Sequence, residues 1–85
     1  MTFNLVYTRR AERDIRALDP AVRKLIGKAI LKLQSSPAEH SEKLTDPRIG
    51  TYRFRAGDYR VIFDLVGNDV VILRVGHRKE IYRRV

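Results

Sequence analysis

The sequence contains no cysteine, which excludes both a disulfide framework and a metal site built on thiolates. There are two histidines, His40 and His77, and neither has carboxylates nearby at the spacing of metal ligands. A glycine-rich phosphate loop is also missing, because Gly57 and Gly67 lie in turn-like contexts. We therefore expect neither a metal nor an organic cofactor.

Long hydrophobic runs are missing as well. No apolar segment approaches the roughly 20 residues that cross a bilayer, and the N-terminus lacks the basic region and apolar stretch of a signal peptide. We expect a soluble, cytoplasmic protein with no membrane partner. The 85 residues suffice for a single domain, residues 1–85, with a modest hydrophobic core.

Acidic residues are few: there are 10, against 18 lysines and arginines, so the formal net charge is +8. An excess of this size favours a partner rich in phosphate, because each neutralised phosphate releases counterions. An anionic membrane surface or an acidic protein would complement the same charge. The composition therefore indicates electrostatic binding and leaves the identity of the partner open.

Hydrophobic periodicity predicts one strand followed by two helices. Residues 2–7 alternate apolar and polar side chains as a strand does. Thr8 is a favourable N-cap for a helix over residues 9–18. Asp19, followed by proline, is a typical start for a second helix over residues 21–34. The helices are expected to be antiparallel because one short turn joins them.

The segment 37–49 has little periodicity and predicts a connecting loop. Its charged residues are expected to be solvated: Glu39, His40, Glu42 and Lys43. Three strands are predicted to follow, over residues 50–56, 58–66 and 70–75. This order predicts an α+β fold: an N-terminal strand, a two-helix hairpin and a three-stranded antiparallel meander. Together they would form a small, twisted, mostly antiparallel sheet with the helices on one face.

Arginines recur at alternate positions in the first hairpin of this meander. Gly57-Asp58 is a tight-turn signal, and a two-residue turn there fixes the pairing of the flanking strands. The expected pairs are Ala56 with Tyr59, Arg55 with Arg60, Phe54 with Val61 and Arg53 with Ile62. The three arginines then share one exposed face, while Phe54, Val61 and Phe63 face the core.

The crowding of these guanidinium groups has a functional interpretation. Like charges placed opposite each other destabilise a sheet, although charged residues also protect exposed strands from aggregation. A guanidinium group stays charged and its planar fork matches phosphate oxygens. We therefore predict that Arg53, Arg55, Arg60 and Arg78 bind phosphate, and that alanine at Arg60 or Arg78 changes stability by no more than about 0.5 kcal/mol.

The second hairpin has two possible registers at its turn, Gly67-Asn68-Asp69. A two-residue loop would turn Arg74 towards the core, whereas a three-residue loop would place it on the face of Arg60. The inward residues of the three-residue register are Val71, Leu73 and Val75. We favour this register because burying an unpaired guanidinium group is costly.

The C-terminal residues form a second basic cluster with two titratable side chains. His77 is either an acid or base near neutral pH or a hydrogen-bonded residue at the strand end. Tyr82 is either a proton-transfer or base-stacking group or a hydrophobic anchor for the C-terminus. The surrounding cations are Arg78, Lys79, Arg83 and Arg84.

The segments from Tyr52 to Phe63 and from Leu73 to Tyr82 resemble the RelE/ParE toxin superfamily, and more closely its RelE-type mRNA interferases. The elements G-D-Y-R-V and G-H-R-x-x-x-Y carry the resemblance. The order strand, helix, helix and the Lys43-Leu44 pair extend it over nearly the whole chain.

This resemblance implies a RelE-like fold and a metal-independent endoribonuclease that cuts mRNA in the ribosomal A site. In that reaction the ribose 2′-OH attacks the adjacent phosphate and leaves a 2′,3′-cyclic phosphate and a 5′-OH. The implied partners are the ribosome, mRNA and a cognate antitoxin whose acidic, amphipathic segment covers the basic surface.

The resemblance also assigns site residues. The expected catalytic residues are Arg53, Arg55, Arg60, Arg78 and Tyr82, together with His77. The expected RNA-binding residues are Arg53, Arg55, Arg60, Arg74, Arg78, Lys79, Arg83 and Arg84. RelE-type relatives have lysines at the positions of Arg53 and Arg55, and an arginine cannot act as a base. The expected base is therefore Tyr82, with His77 second.

Two other functions fit the same residues. ParE-type members share the fold and the G-D-Y-R-V strand, and are thought to poison DNA gyrase. A catalytically inactive basic module would also show this charge. The G-H-R-x-x-x-Y tail favours the nuclease over the gyrase poison.

Overall fold

The computed structural model describes residues 2–39, 41–45 and 50–81. Within these residues the chain forms strand β1, two helices and then four further strands. The bounds are β1 (Asn4–Tyr7), α1 (Arg9–Arg16), α2 (Pro20–Ser35), β2 (Ser41–Lys43), β3 (Tyr52–Ala56), β4 (Tyr59–Val66) and β5 (Asp69–His77). None of the described helices is both long and apolar enough to cross a membrane.

The strands form one mixed sheet in the order β1-β5-β4-β3-β2. β1 runs parallel to β5, and the other neighbouring strands are antiparallel. β1 and β5 can be parallel because the two helices return the chain before the meander begins. The predicted α+β fold with a β3–β4–β5 meander is therefore confirmed.

Thr8 joins the start of α1 to the sheet. Its hydroxyl accepts the N–H of Ala11 at 3.1 Å, which is the predicted N-cap bond. The same hydroxyl donates to the carbonyls of Ile72 and Leu73 at 3.1 and 3.2 Å. The start of α1 is therefore fixed against β5.

Arg23 of α2 closes the C-terminal end of α1. Its Nε donates to the carbonyl of Ile15 at 3.3 Å, and its Nη2 donates to the carbonyls of Arg16 and Leu18 at 3.1 and 3.0 Å. The last carbonyls of a helix have no partner within that helix. One guanidinium group therefore supplies their hydrogen bonds and holds the two helices at their turn.

Arg23→Met is expected to lower stability by about 1 kcal/mol, because the charged donor to these carbonyls is lost. For a domain of this size the melting temperature should fall by about 4–8 °C. Lys24→Met removes one charge from the neighbouring exposed residue and serves as the control. Equal melting temperatures for the two variants would show that the Arg23 contacts contribute nothing.

The hydrophobic core lies between the helices and one face of the sheet. Phe54, Val61 and Phe63 belong to it, as predicted. Its other buried members are Ala11, Ile26, Ala29, Ile30, Leu33, Ala56, Val70, Ile72 and Val75. The second half of α2 and both hairpins thus contribute to one continuous layer.

The β3–β4 register is the predicted one, from Ala56 opposite Tyr59 to Arg53 opposite Ile62. The β4–β5 register differs from prediction. Val66 pairs with Asp69, so the turn has two residues. Val70 and Ile72 therefore join the core, and the prediction that Val71 and Leu73 do so is wrong.

A β-bulge then reverses the alternation along β5. Phe63 pairs with Ile72 but Ile62 pairs with Arg74, so Leu73 is an additional residue on β5. Beyond it Val75 lies in the core, and Arg74 is on the same face as Ile62. Arg74 thus avoids the core as predicted, through a bulge rather than a longer loop.

The segment 37–49 is not only a loop. Ser41–Lys43 forms the edge strand β2, and Glu42 lies opposite Arg53 of β3. The expectation of a solvated loop is therefore wrong for Ser41–Lys43, since these residues complete the sheet. His40 lies outside the described residues.

Candidate active site

Three arginines occupy the face of the β3–β4 hairpin that points away from the core; we call Arg53, Arg55 and Arg60 the arginine face. Arg55 and Arg60 are directly opposite each other, as predicted. Cross-strand partners project to the same side of a sheet, so their charges lie close together. This is the concentration of guanidinium groups that the sequence pattern indicates.

Apolar residues and backbone flank the arginine face. Ile62, opposite Arg53, is fully buried. Gly50 lies against it with φ of 153°, and a Cβ there would be 2.6 Å from Cγ2 of Ile62. On the β5 side, buried Ile81 lies against Gly76, which pairs with Arg60. Buried apolar residues therefore border the arginine face on both the β3 side and the β5 side.

Arg60 is 9% exposed, which corrects the expectation that it lies on the surface. Its Nη1 donates to the carbonyls of Gly57 and Tyr59, each at 2.8 Å. These bonds direct the guanidinium group towards the β3–β4 turn. Arg60 is consequently a fixed cation that both supports the turn and carries positive charge at the site.

Glu42 joins the other two arginines of this face. Its Oε2 is 2.6 Å from Nη2 of Arg53, and its Oε1 is 3.2 Å from Nε of Arg55. The hydrogen bond from Arg53, followed by the charge of Arg55, lowers the pKa of the Glu42 carboxyl group. The carboxylate is therefore ionised at neutral pH.

The sequence did not reveal this role of Glu42. The residue becomes a neighbour of the arginines only through the pairing of β2 with β3, between positions 11 residues apart. Residues 41–44, Ser-Glu-Lys-Leu, show no alternation of polar and apolar side chains, so no local pattern predicts a strand there.

Arg78 lies beside the same turn as Arg60. Its backbone N–H donates to the carbonyl of Asp58 at 2.8 Å, and its Nε is 3.7 Å from Oδ1 of Asp58. The side chain of Arg78 is about half exposed, at 54%. The structure thus brings Arg78 to the end of the hairpin where the guanidinium group of Arg60 is held.

Arg74 contacts α1 instead of the arginine face. Its Nε donates to Oδ2 of Asp14 at 2.9 Å, and the same oxygen accepts the N–H of Val75 at 3.0 Å. Arg10 adds a second cation 3.7 Å from this carboxylate. Arg74 therefore fixes β5 to α1, and its expected binding to RNA remains a prediction.

His77 lies on the core side of the sheet, across from the arginine face. It pairs with Tyr59, which packs against the core, and the two rings meet edge to face at 5.4 Å. Its Nδ1 accepts the N–H of Lys79 at 3.1 Å. The structure therefore places His77 on the opposite face of the sheet from Arg60.

The remaining residues of the predicted site are Lys79, Tyr82, Arg83 and Arg84. Lys79 is exposed in the turn that follows β5, and the other three lie outside the described residues. Within the described ranges, no three histidine, aspartate or glutamate side chains are grouped as metal ligands.

Comparison with known proteins agrees with this fold. Residues 5–82 match the family described as the ParE toxin of type II toxin–antitoxin systems. The chain is 34% identical to Toxin RelG of Mycobacterium tuberculosis, over 99% of this chain and 100% of that protein.

Solved structures show the same similarity. The RelBE2 toxin–antitoxin complex of M. tuberculosis contains a chain with a TM-score of 0.83 and 28% identity, covering 92% of this chain and 100% of its own. A variant of the E. coli toxin RelE in the free state has a TM-score of 0.76 and 26% identity. The match covers 96% of this chain and 92% of the RelE chain.

The family match spans most of the sequence, and the relatives are covered along their full length. The sheet order, the two helices and the arginine-bearing hairpin are consistent with that match. The chain therefore belongs to the RelE/ParE superfamily, the toxins of type II toxin–antitoxin systems, and is RelE-like in fold.

Proposed function

We propose that this protein is a ribosome-dependent endoribonuclease that cleaves mRNA in the A site without a metal ion. The observation that carries the proposal is the grouping of Arg53, Arg55, Arg60 and Arg78 around one hairpin. Arginines at such close spacing match a substrate whose reacting group is a phosphodiester, and whose transition state gains negative charge.

In the proposed reaction the ribose 2′-oxygen forms a bond to the adjacent phosphorus as its proton passes to a base. The bond from phosphorus to the 5′-oxygen breaks, and that oxygen takes up a proton. Arg60 and Arg78, at the end of the hairpin, stabilise the charge on the phosphate oxygens. Arg53 and Arg55, on β3, hold the mRNA backbone. Tyr82 is the proposed base.

The proposed partners are the ribosome, mRNA and a cognate antitoxin. Structures of relatives include toxin–antitoxin complexes from M. tuberculosis and Methanococcus jannaschii. A net charge of +8 on 85 residues complements both ribosomal RNA and an acidic antitoxin segment. Both kinds of partner would compete for the same positive surface.

Purified protein is expected to cleave mRNA on programmed ribosomes and to leave the same RNA intact when no ribosome is present. The product ends should be a 2′,3′-cyclic phosphate and a 5′-OH, mapped by primer extension and end-specific ligation. Arg13→Gln removes an exposed charge from α1, away from the arginine face, and is the matched control.

The family match to ParE toxins makes gyrase the second candidate target. A gyrase-cleavage assay with the same preparation separates the two functions. DNA breaks that depend on gyrase, together with intact mRNA on ribosomes, would assign the protein to the gyrase poisons. If the protein is active in neither assay, the remaining candidate is a catalytically inactive basic binding module.

A further inference from the structure

We propose that Glu42 is a positioning residue: its carboxylate holds Arg53 and Arg55 in the orientation in which they receive the mRNA phosphate. The inference rests on the proposed nuclease function. It concerns an exposed side chain of the short edge strand β2 that was expected to lie in a solvated loop.

The geometry of the contact supports this role. The two oxygens of one carboxylate contact two different arginines, at 2.6 Å to Nη2 of Arg53 and 3.2 Å to Nε of Arg55. The arginines are two residues apart on one strand and project from the same face. A single anion between them therefore fixes the separation of their guanidinium groups.

The contact also leaves donors for a substrate. A guanidinium group has five N–H donors, and Arg55 approaches Glu42 through its Nε, in an ion pair of 3.2 Å. Its terminal amino groups remain to form the bidentate contact that phosphate favours. Long side chains lose rotamer freedom when they bind. Because Glu42 already orders Arg53 and Arg55, less freedom is lost when the phosphate arrives.

Simple stabilisation of the fold does not explain the arrangement. Arg55 and Glu42 are well exposed, at 62% and 51% of their side chains, and ion pairs this exposed contribute little to stability. In the alternative interpretation, Glu42 is a competing counter-ion that occupies the place of the phosphate. The two interpretations predict opposite changes in cleavage rate when the carboxylate is replaced.

Glu42→Gln is expected to slow single-turnover cleavage on saturating ribosomes about 10-fold, since misplaced binding groups cost rate more than affinity. The ribosome concentration at half-saturation should change by less than about 2-fold. Glu39→Gln, with the same charge change in the exposed turn before β2, is the control. In an Arg53→Gln/Arg55→Gln background, Glu42→Gln should cause no further loss, because it acts through these arginines.

A second measurement does not depend on cleavage. The Nε–Hε resonance of Arg55, followed by NMR, should shift in Glu42→Gln, because the carboxylate 3.2 Å from this nitrogen is lost. An unchanged resonance would overturn the proposal, as would faster cleavage or an equal loss in the double-arginine background. If the parental protein cleaves nothing, the nuclease function fails while the NMR result still decides whether Glu42 orders Arg55.

Discussion

Replacing Tyr82 by phenylalanine is expected to slow single-turnover cleavage of mRNA on programmed ribosomes by about 100-fold or more, the usual contribution of a general base. Arg53 and Arg55 remain charged at all working pH values and cannot accept the 2′-OH proton. Tyr82 lies outside the described residues. Its neighbours in sequence include Arg78 and Arg83, and we expect positive charge there to favour its role as a base.

His77→Gln provides the decisive comparison. Because His77 packs edge to face on Tyr59 and lies across the sheet from Arg60, we expect a smaller loss than for Tyr82→Phe. If Tyr82→Phe cleaves at close to the parental rate and His77→Gln loses about 100-fold, the histidine is the base. Parental rates for both variants would mean that cleavage relies on positioning and charge alone.

Arg60→Ala is expected to abolish toxicity and also to lower stability by about 2 kcal/mol, in contrast to the sequence-based expectation. The guanidinium group is buried and donates to two carbonyls, and hydrogen bonds from charged groups contribute about 1.5–3 kcal/mol. The melting temperature should consequently fall by about 10 °C. Growth arrest on induction and thermal unfolding of the purified variant are the two measurements.

Arg78→Ala is the matched variant for this experiment. Arg78 is at the same end of the hairpin but half exposed, so its loss should relieve toxicity and change stability by no more than about 0.5 kcal/mol. Full toxicity of both variants at equal expression would show that neither arginine is needed for toxicity. An Arg60→Ala protein as stable as the parent would contradict the structural role of its hydrogen bonds.

Sequence patterns predicted the parts of the molecule that depend on neighbours in the chain. The β3–β4 register followed from a two-residue turn and strict alternation, so Arg53, Arg55 and Arg60 were placed together correctly. Thr8 was identified as an N-cap for the same local reason. Both features are determined within about ten residues of sequence.

The features that were missed depend on contacts between distant segments. β2 is three residues long and forms by pairing with β3. No local sequence pattern therefore predicted the position of Glu42. The bulge at Leu73 breaks the period of two on which a strand prediction relies. Arg60 is buried and donates to carbonyls at the turn, and a sequence pattern does not predict such contacts.

The parallel pairing of β1 with β5 also bears on how the toxin is made. Asn4 lies beside Asp69, 65 residues later in the chain, and β5 is hydrogen-bonded between β1 and β4. During synthesis the first strand therefore waits for β5, and the sheet closes only after residues 69–77 have been made. A chain that ended before β5 would leave β1 and β4 without the strand that lies between them, and would lack the finished toxin fold.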